Sequence, residues 1–190
     1  MMTGARGPRH VLTDRLDLRA MTPGDLESLH QIISDPRNCA HVFGGPKESL
    51  EASRAWIERF GARWAVNGLG YWTVRLRTSS SVIGVGGAER RRSFWNLYYL
   101  LDRRHWGRGY ATEIALAAQR EAAAIEPDLP VIAWIHKDNG ASQAVARHLG
   151  LTDYGQLEPQ HWNGQPMHCW ADRQPGSGQE PASVPPGPTG

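Results

Sequence analysis

Leu97-Tyr98-Tyr99-Leu100-Leu101-Asp102-Arg103-Arg104-His105-Trp106-Gly107-Arg108-Gly109-Tyr110-Ala111-Thr112-Glu113 is the stretch on which the fold turns. The apolar run to Leu101 reads as a buried strand. A loop bearing Gly107 and Gly109 follows, and then Ala111, Ile114, Ala115, Ala118, Ala122 and Ile125 fall on one face of a helix. The first turn of a helix leaves N–H groups unpaired at the positive end of its dipole. Glycines let a ligand come close to that backbone. Strand, glycine loop and helix together make an anion site suited to phosphate or pyrophosphate, with Arg103, Arg104 and Arg108 adding positive charge. A nucleotide-triphosphate loop would need Gly-Lys-Ser/Thr, and this loop has no Lys. A dinucleotide fingerprint would need a third glycine where Thr112 stands and an acid closing the next strand, whereas Asp128 precedes that strand.

Upstream of this stretch, Leu16-Asp17-Leu18 alternates as a first strand. Thr22, Pro23 and Asp25 then supply the cap, first position and first turn of a helix that Asp35-Pro36 ends. A second helix carries Leu50, Trp56, Ile57, Phe60 and Trp64 and closes at Gly68 and Gly70. Three runs, Tyr71 to Leu76, Val82 to Ala88 and Phe94 to Leu101, predict an antiparallel meander. Downstream, Val131 to Ile135 reads as a short buried strand. Ala141, Ala144, Val145 and Leu149 form a helix closed by Gly150, and weaker strands lie around Asp153 to Leu157 and Met167 to Ala171. The predicted order is β-α-α-β-β-β-α-β-α-β-β, an α/β domain whose mixed, largely antiparallel central sheet is flanked by helices. Residues 1–9 are expected to be loose, 10–173 to form the domain, and 174–190, rich in Pro and Gly, to be a disordered tail.

Arg104-x-x-Gly107-x-Gly109 resembles the coenzyme A pyrophosphate loop of the GNAT superfamily of N-acetyltransferases. Leu12-Thr13-Asp14-Arg15-Leu16-Asp17-Leu18-Arg19 and Trp106-Gly107-Arg108-Gly109-Tyr110-Ala111-Thr112-Glu113 resemble its Rim-type branch, the ribosomal-protein N-terminal acetyltransferases. Asn139-Gly140-Ala141-Ser142, followed by Leu149-Gly150-Leu151, is similar to that family's last block. The resemblance spans about Leu12 to Asp172, with the motifs in the family's order.

The resemblance implies a GNAT-like acyl-CoA N-acyltransferase fold with acetyl-CoA lying between two splayed strands, Tyr99–Leu101 and Val131–Ile135. It implies that backbone groups of Leu100 and Leu101 bind pantetheine and polarise the thioester. Arg104 and the loop Gly107, Arg108, Gly109, Tyr110 and Ala111 would hold the pyrophosphate, and Asn139 would bond the pantetheine arm. Ser142 is implied as proton donor to the departing thiolate, and equally reads as a first-turn helix residue. Glu89 is the first candidate for the base, with His41 and His136 as others, and Glu89 reads otherwise as a solvated charge beside Arg90. The eight Trp residues read mostly as core, while Trp72 and Trp95 could line an acceptor pocket. The implied reaction is direct acetyl transfer to a primary amine, either a protein N-terminus or a small molecule.

Composition sets the outer bounds. The chain has 190 residues, 40% apolar and 21% charged, with a formal charge of +2. That balance speaks against a DNA-coating protein, and no apolar run approaches a membrane span of about 20 residues. The start, Met1 to His10, lacks the apolar stretch of a secretion signal. Cys39 and Cys169 match no metal-ligand spacing and read as reduced thiols, so the expectation is a cytoplasmic enzyme without a metal. A homodimer is compatible with the sequence. Two other functions remain open: a non-catalytic acyl-CoA-binding regulatory module, and an RNA- or ribosome-associated protein using Arg90-Arg91-Arg92.

Overall fold

The structure, a computed structural model, describes residues 9–42, 44–157, 161–162 and 165–176. Its elements in chain order are β1 (His10–Leu12), β2 (Leu16–Ala20), α1 (Leu26–Ile33), α2 (Leu50–Asn67), β3 (Tyr71–Leu76), β4 (Val82–Arg90), β5 (Trp95–Leu101), α3 (Tyr110–Ile125), β6 (Val131–His136), α4 (Gly140–His148), β7 (Thr152–Asp153), β8 (His161–Trp162) and β9 (Gln165–Ala171). The sheet runs β1-β2-β3-β4-β5-β6-β9-β7, with β8 paired to β9 off this path. Every pairing is antiparallel except β5 with β6.

This is the expected α/β architecture. It adds a hairpin strand, β1, and it shortens the strand expected around Asp153 to the two residues of β7. Residues 1–8 and 177–190 lie outside the described residues, as do parts of the C-terminal region.

Two apolar layers hold the sheet. Leu16, Leu18, Trp72, Trp95, Leu97 and Leu101 meet Ile114, Ala118 and Ala122 of α3 on one face. Val85, Leu100 and Tyr71 meet Leu29, Ile33 and Ile57 of α1 and α2 on the other. Burial of such side chains stabilises by about 1.5–3 kcal/mol each. Trp72 and Trp95 are fully buried in the first layer, so the idea that they line an acceptor pocket is corrected. α3 packs close because β4 offers no side chain at Gly86, where a Cβ would stand 2.7 Å from Ile114 Cγ2. Asp25 locks the entry to α1 by accepting from Thr22 N–H (2.8 Å) and Thr22 Oγ1 (3.0 Å), and its other oxygen meets Arg75.

Candidate active site

The decisive geometry is a fork between β5 and β6. Only Trp95 with Val131 and Asn96 with Ile132 are paired in the parallel register, and the strands then diverge. Asp102 N–H donates to Ile83 O (2.9 Å) and Arg91 N–H to Phe94 O (2.8 Å). Those bonds set the alternation: even residues of β5 bond to β4, and odd ones turn their amide groups toward β6. Tyr99 and Leu101 therefore aim their amide groups into the fork, while Leu100 spends its own on β4. Leu100 was expected to offer backbone groups to a ligand, and the alternation gives that place to Tyr99. On the opposite strand Asp172 N–H donates to Val131 O (3.2 Å), and the same alternation turns the amide groups of Trp134 into the fork.

One end of the fork opens onto the glycine loop. Asp102 accepts from Arg104 N–H (2.9 Å) and starts a tight turn, Arg103–His105. Trp106 Nε1 donates to Leu101 O (2.8 Å) and ties the loop to the strand. Gly107 and Gly109 then take φ of 70° and 76°, left-handed values that suit glycine. A Cβ at Gly107 would meet nothing within 4 Å, and one at Gly109 only Arg15 at 3.4 Å, so the protein leaves the space over this loop open. α3 begins at Tyr110 with no side-chain cap, so its first N–H groups have no helical acceptor.

The loop's outer side is clamped. Glu113, in the first turn of α3, accepts from Thr13 Oγ1 (2.5 Å), Arg15 N–H (2.9 Å) and Arg15 Nε (2.7 Å). Arg15 in turn donates to Arg108 O (2.8 Å) and lies over the Tyr110 ring at 4.7 Å. Burial would raise the Glu113 carboxyl, but the bonds from Thr13 and Arg15 outweigh it and hold the group below its ordinary value. Two separately noted motifs, Thr13-Asp14-Arg15 and Thr112-Glu113, are thus one structure.

Fork, loop and the α1–α2 connection surround a cleft of about 1400 Å³. Leu100, Leu101, Gly107, Arg108, Gly109, Tyr110, Ala111, Asn139 and Ser142 line it, and Glu89 and Arg104 do not. Arg104 is bound to Asp102, Nε to Oδ2 at 2.9 Å, and this pair holds the Asp102 carboxyl below its usual range. Its expected place on the coenzyme is therefore corrected. Asn139 Oδ1 accepts from Ser142 N–H (3.0 Å), capping α4. Tyr99 faces Ser142 across the fork. Burial raises the Tyr99 hydroxyl, and the Ser142 contact partly offsets the rise.

Glu89 is neither a solvated charge nor a wall of the cleft. It is 1% exposed, with Arg63 Nε 3.2 Å from one oxygen and Arg91 2.8 Å from the other, and the Tyr71 hydroxyl donates to it at 3.4 Å. Arg90 pairs with Glu126 at 2.8 Å and donates to the carbonyls of Arg91 and Arg92. His41 stacks on His136 at 5.8 Å, and His136 Nδ1 accepts from Asp138 N–H at 3.2 Å. Among the described residues no cluster of three or more His, Cys, Asp or Glu could hold a metal, and no helix is long and apolar enough to cross a membrane.

Residues 15–152 match the acetyltransferase (GNAT) domain family. The chain belongs to the GNAT family. It is thereby an acetyl-CoA-dependent acyltransferase. This GNAT chain is 25% identical over 145 residues to the uncharacterized protein YkkB of Bacillus subtilis (strain 168), covering 74% of this chain and 84% of that one. Its fold is similar to that of an acetyltransferase from Agrobacterium tumefaciens str. C58, with a TM-score of 0.75, 24% identity, and 92% and 99% of the two chains covered. It is also similar to RimL, a ribosomal L7/L12 alpha-N-protein acetyltransferase solved in complex with coenzyme A. That likeness has a TM-score of 0.71 at 20% identity, covering 85% of this chain and 95% of that one.

Three groups in the GNAT site were not singled out from the sequence. Tyr99 was read only as strand, since nothing local pairs it with Ser142. Trp56 and Phe60 were read as an apolar stripe, yet both line the cleft. Their spacing, four apart on α2, was the available signal.

Proposed function

We propose that the protein transfers the acetyl group of acetyl-CoA directly to a primary amine. The observation that carries this reading is the fork, whose strand amides continue into the uncapped start of α3 over an open glycine loop. The residues present fit the coenzyme: N–H groups of Gly109, Tyr110 and Ala111 face the place for a pyrophosphate, with Arg108 beside them. Acetyl-CoA supplies the activated acetyl thioester. Tyr99 through its N–H and C=O and Leu101 through its N–H hold the pantetheine arm, and an N–H from this pair donates to the oxygen that gains charge as the amine attacks. Ser142, which faces Tyr99 across the fork, protonates the leaving sulfur.

Glu89 acts as a positioning residue. Tyr71 and Arg91 separate it from the cleft, so it fixes the ring and guanidinium that the acceptor meets. The proton from the amine leaves at the cleft mouth, where His41 is exposed. No acyl-enzyme forms on a thiol. Cys39 donates Sγ–H to Ile33 O at 3.4 Å, and burial pushes its thiol up, away from the thiolate that a nucleophile needs. Both cysteines are free, as thiols remain in the cytoplasm, where we place the protein. An RNA-binding role for the Arg90 to Arg92 turn is not favoured, because Arg90 and Arg91 are paired internally.

The test is thiol release from acetyl-CoA with a panel of amines, beside thermal melting. Saturating acetyl-CoA should raise the melting temperature, since binding only the folded state stabilises it, and release should depend on the amine. Stabilisation without release for any amine or N-terminal peptide would favour a binding module. The absence of both responses would refute the reading.

A further inference from the structure

The acceptor side of the cleft carries a chemical signature of its own. The pleat of β5 sends Tyr99 and Leu101 toward α3 and α4, and sends Asn96, Tyr98 and Leu100 toward α1 and α2. On that second side four rings pack against one another into a single apolar wall. Trp56 lies 4.8 Å from Phe60 and 6.5 Å from both Tyr71 and Tyr98, and Tyr71 lies 5.0 Å from Phe60 and 5.1 Å from Tyr98. These are the centroid separations at which aromatic rings attract. All four line the cleft. Tyr71 offers its ring and not its hydroxyl, which donates to Glu89 and accepts from Asn96 Nδ2 at 3.3 Å.

The charge around this wall has one sign. Arg37, Lys47, Arg59 and Arg91 line the same half of the cleft. Arg37 is neutralised by Asp35 and Arg91 by Glu89. Arg59 and Lys47 have no carboxylate partner among the described residues, and the Arg59 guanidinium sits 5.3 Å from the Phe60 ring. The one described acid on the cleft wall is Asp138, beyond the fork and held by Lys137 at 2.8 Å. A positive field with apolar walls attracts an anion and disfavours an ammonium. It repels a polyamine, and it favours the neutral form that an attacking amine must take.

We propose that the acceptor is an amine carried on a flat apolar body that also bears an acid group, of the kind an aromatic amino acid presents. The ring wall receives the body on its cleft side, Arg59 and Lys47 hold the acid, and the amine points through the fork toward Tyr99 and Ser142. This rests on the acetyl-transfer reading of the cleft.

The experiment measures kcat/KM for thiol release from acetyl-CoA with L-phenylalanine, phenethylamine, L-alanine and spermidine, with acetyl-CoA binding followed by melting. L-phenylalanine should lead by about tenfold or more, the scale of one charge-assisted hydrogen bond. Arg59→Gln should erase its advantage over phenethylamine while leaving phenethylamine nearly unchanged. Trp56→Ala should weaken both aromatic amines together. The proposal is overturned if spermidine or phenethylamine equals L-phenylalanine, or if the Arg59→Gln, Lys47→Gln double variant keeps the preference. Stabilisation by acetyl-CoA with no release from L-phenylalanine overturns the acceptor class and leaves coenzyme binding standing. Absence of stabilisation removes the acetyl-transfer reading itself, and the acceptor with it.

Discussion

Replacing Glu113 tests how the coenzyme loop is held. The carboxylate accepts from Thr13 and twice from Arg15, and it is 14% exposed against 49% for Arg15. Glu113→Ala removes all three bonds. At about 1 kcal/mol for each bond, with the ionic pair discounted because Arg15 is half in water, the loss is about 3 kcal/mol. For a chain of this size, that lowers the melting temperature by about 6–12 °C. Glu113→Gln keeps an oxygen for Thr13 and loses the charge, so about 1 kcal/mol is expected.

The sign with pH follows from the carboxyl being held low when folded. Its contribution is complete above the unfolded carboxylate value of about 4.3 and is lost as pH falls through the folded one. The gap between wild type and Glu113→Ala should therefore narrow in acid. Urea unfolding at pH 7 and again below pH 4 reads both effects. Acetyl-CoA affinity should also fall several-fold, because Arg15 no longer pins Arg108 O. A Glu113→Ala protein within about 0.5 kcal/mol of wild type, or a gap that widens in acid, would refute the clamp.

Gly109→Val should abolish the thermal shift caused by acetyl-CoA, since a branched side chain at φ 76° costs about 1–3 kcal/mol and its Cβ meets the Arg15 clamp, so the loop must shift; normal calorimetric affinity in a folded variant would place the anion elsewhere. Ser142→Ala should lower kcat by about 10²–10⁴-fold with little change in acetyl-CoA binding, whereas a rise in KM alone would make Ser142 a binding residue. Tyr99→Phe should lower kcat in the same direction, and the double variant should lose less than the product of the two, because the two hydroxyls face each other across the fork. Glu89→Gln should raise the acceptor KM with acetyl-CoA affinity unchanged, measured by steady-state kinetics, as expected for a group that only positions Tyr71 and Arg91.

The meander, α3 and the glycine loop were legible because local signals agree there: alternation, turn residues and then a helical period. β1 was not, since three residues carry no readable period and its pairing with β2 is what makes it a strand. The loop motif was legible as chemistry but not in its parts. Arg104 looked like an anion ligand, and its neighbour Asp102 takes it instead. Glu89 stands beside three arginines in sequence and so reads as solvent-facing. Its burial depends on Arg63, which α2 brings from 26 positions away. The Tyr99 contact with Ser142 likewise needs two elements 43 positions apart to meet across a fork. Such long-range partners leave no local trace in a single sequence.

The fork has a consequence for how the protein exchanges hydrogen with water. Two residue pairs alone stitch β5 to β6, so the amides of Tyr99, Leu101 and Trp134 lie along edges that no strand protects. Leu100, one position away from both Tyr99 and Leu101, is bonded within the β4 ladder. A bound pantetheine arm, itself carrying amides, would take the place of a strand between those edges. Deuterium uptake at Tyr99 and Leu101 would then slow on loading, while Leu100 would keep its own pace as an internal clock. The alternation of a single strand thus records, residue by residue, whether the enzyme is charged with its acetyl donor.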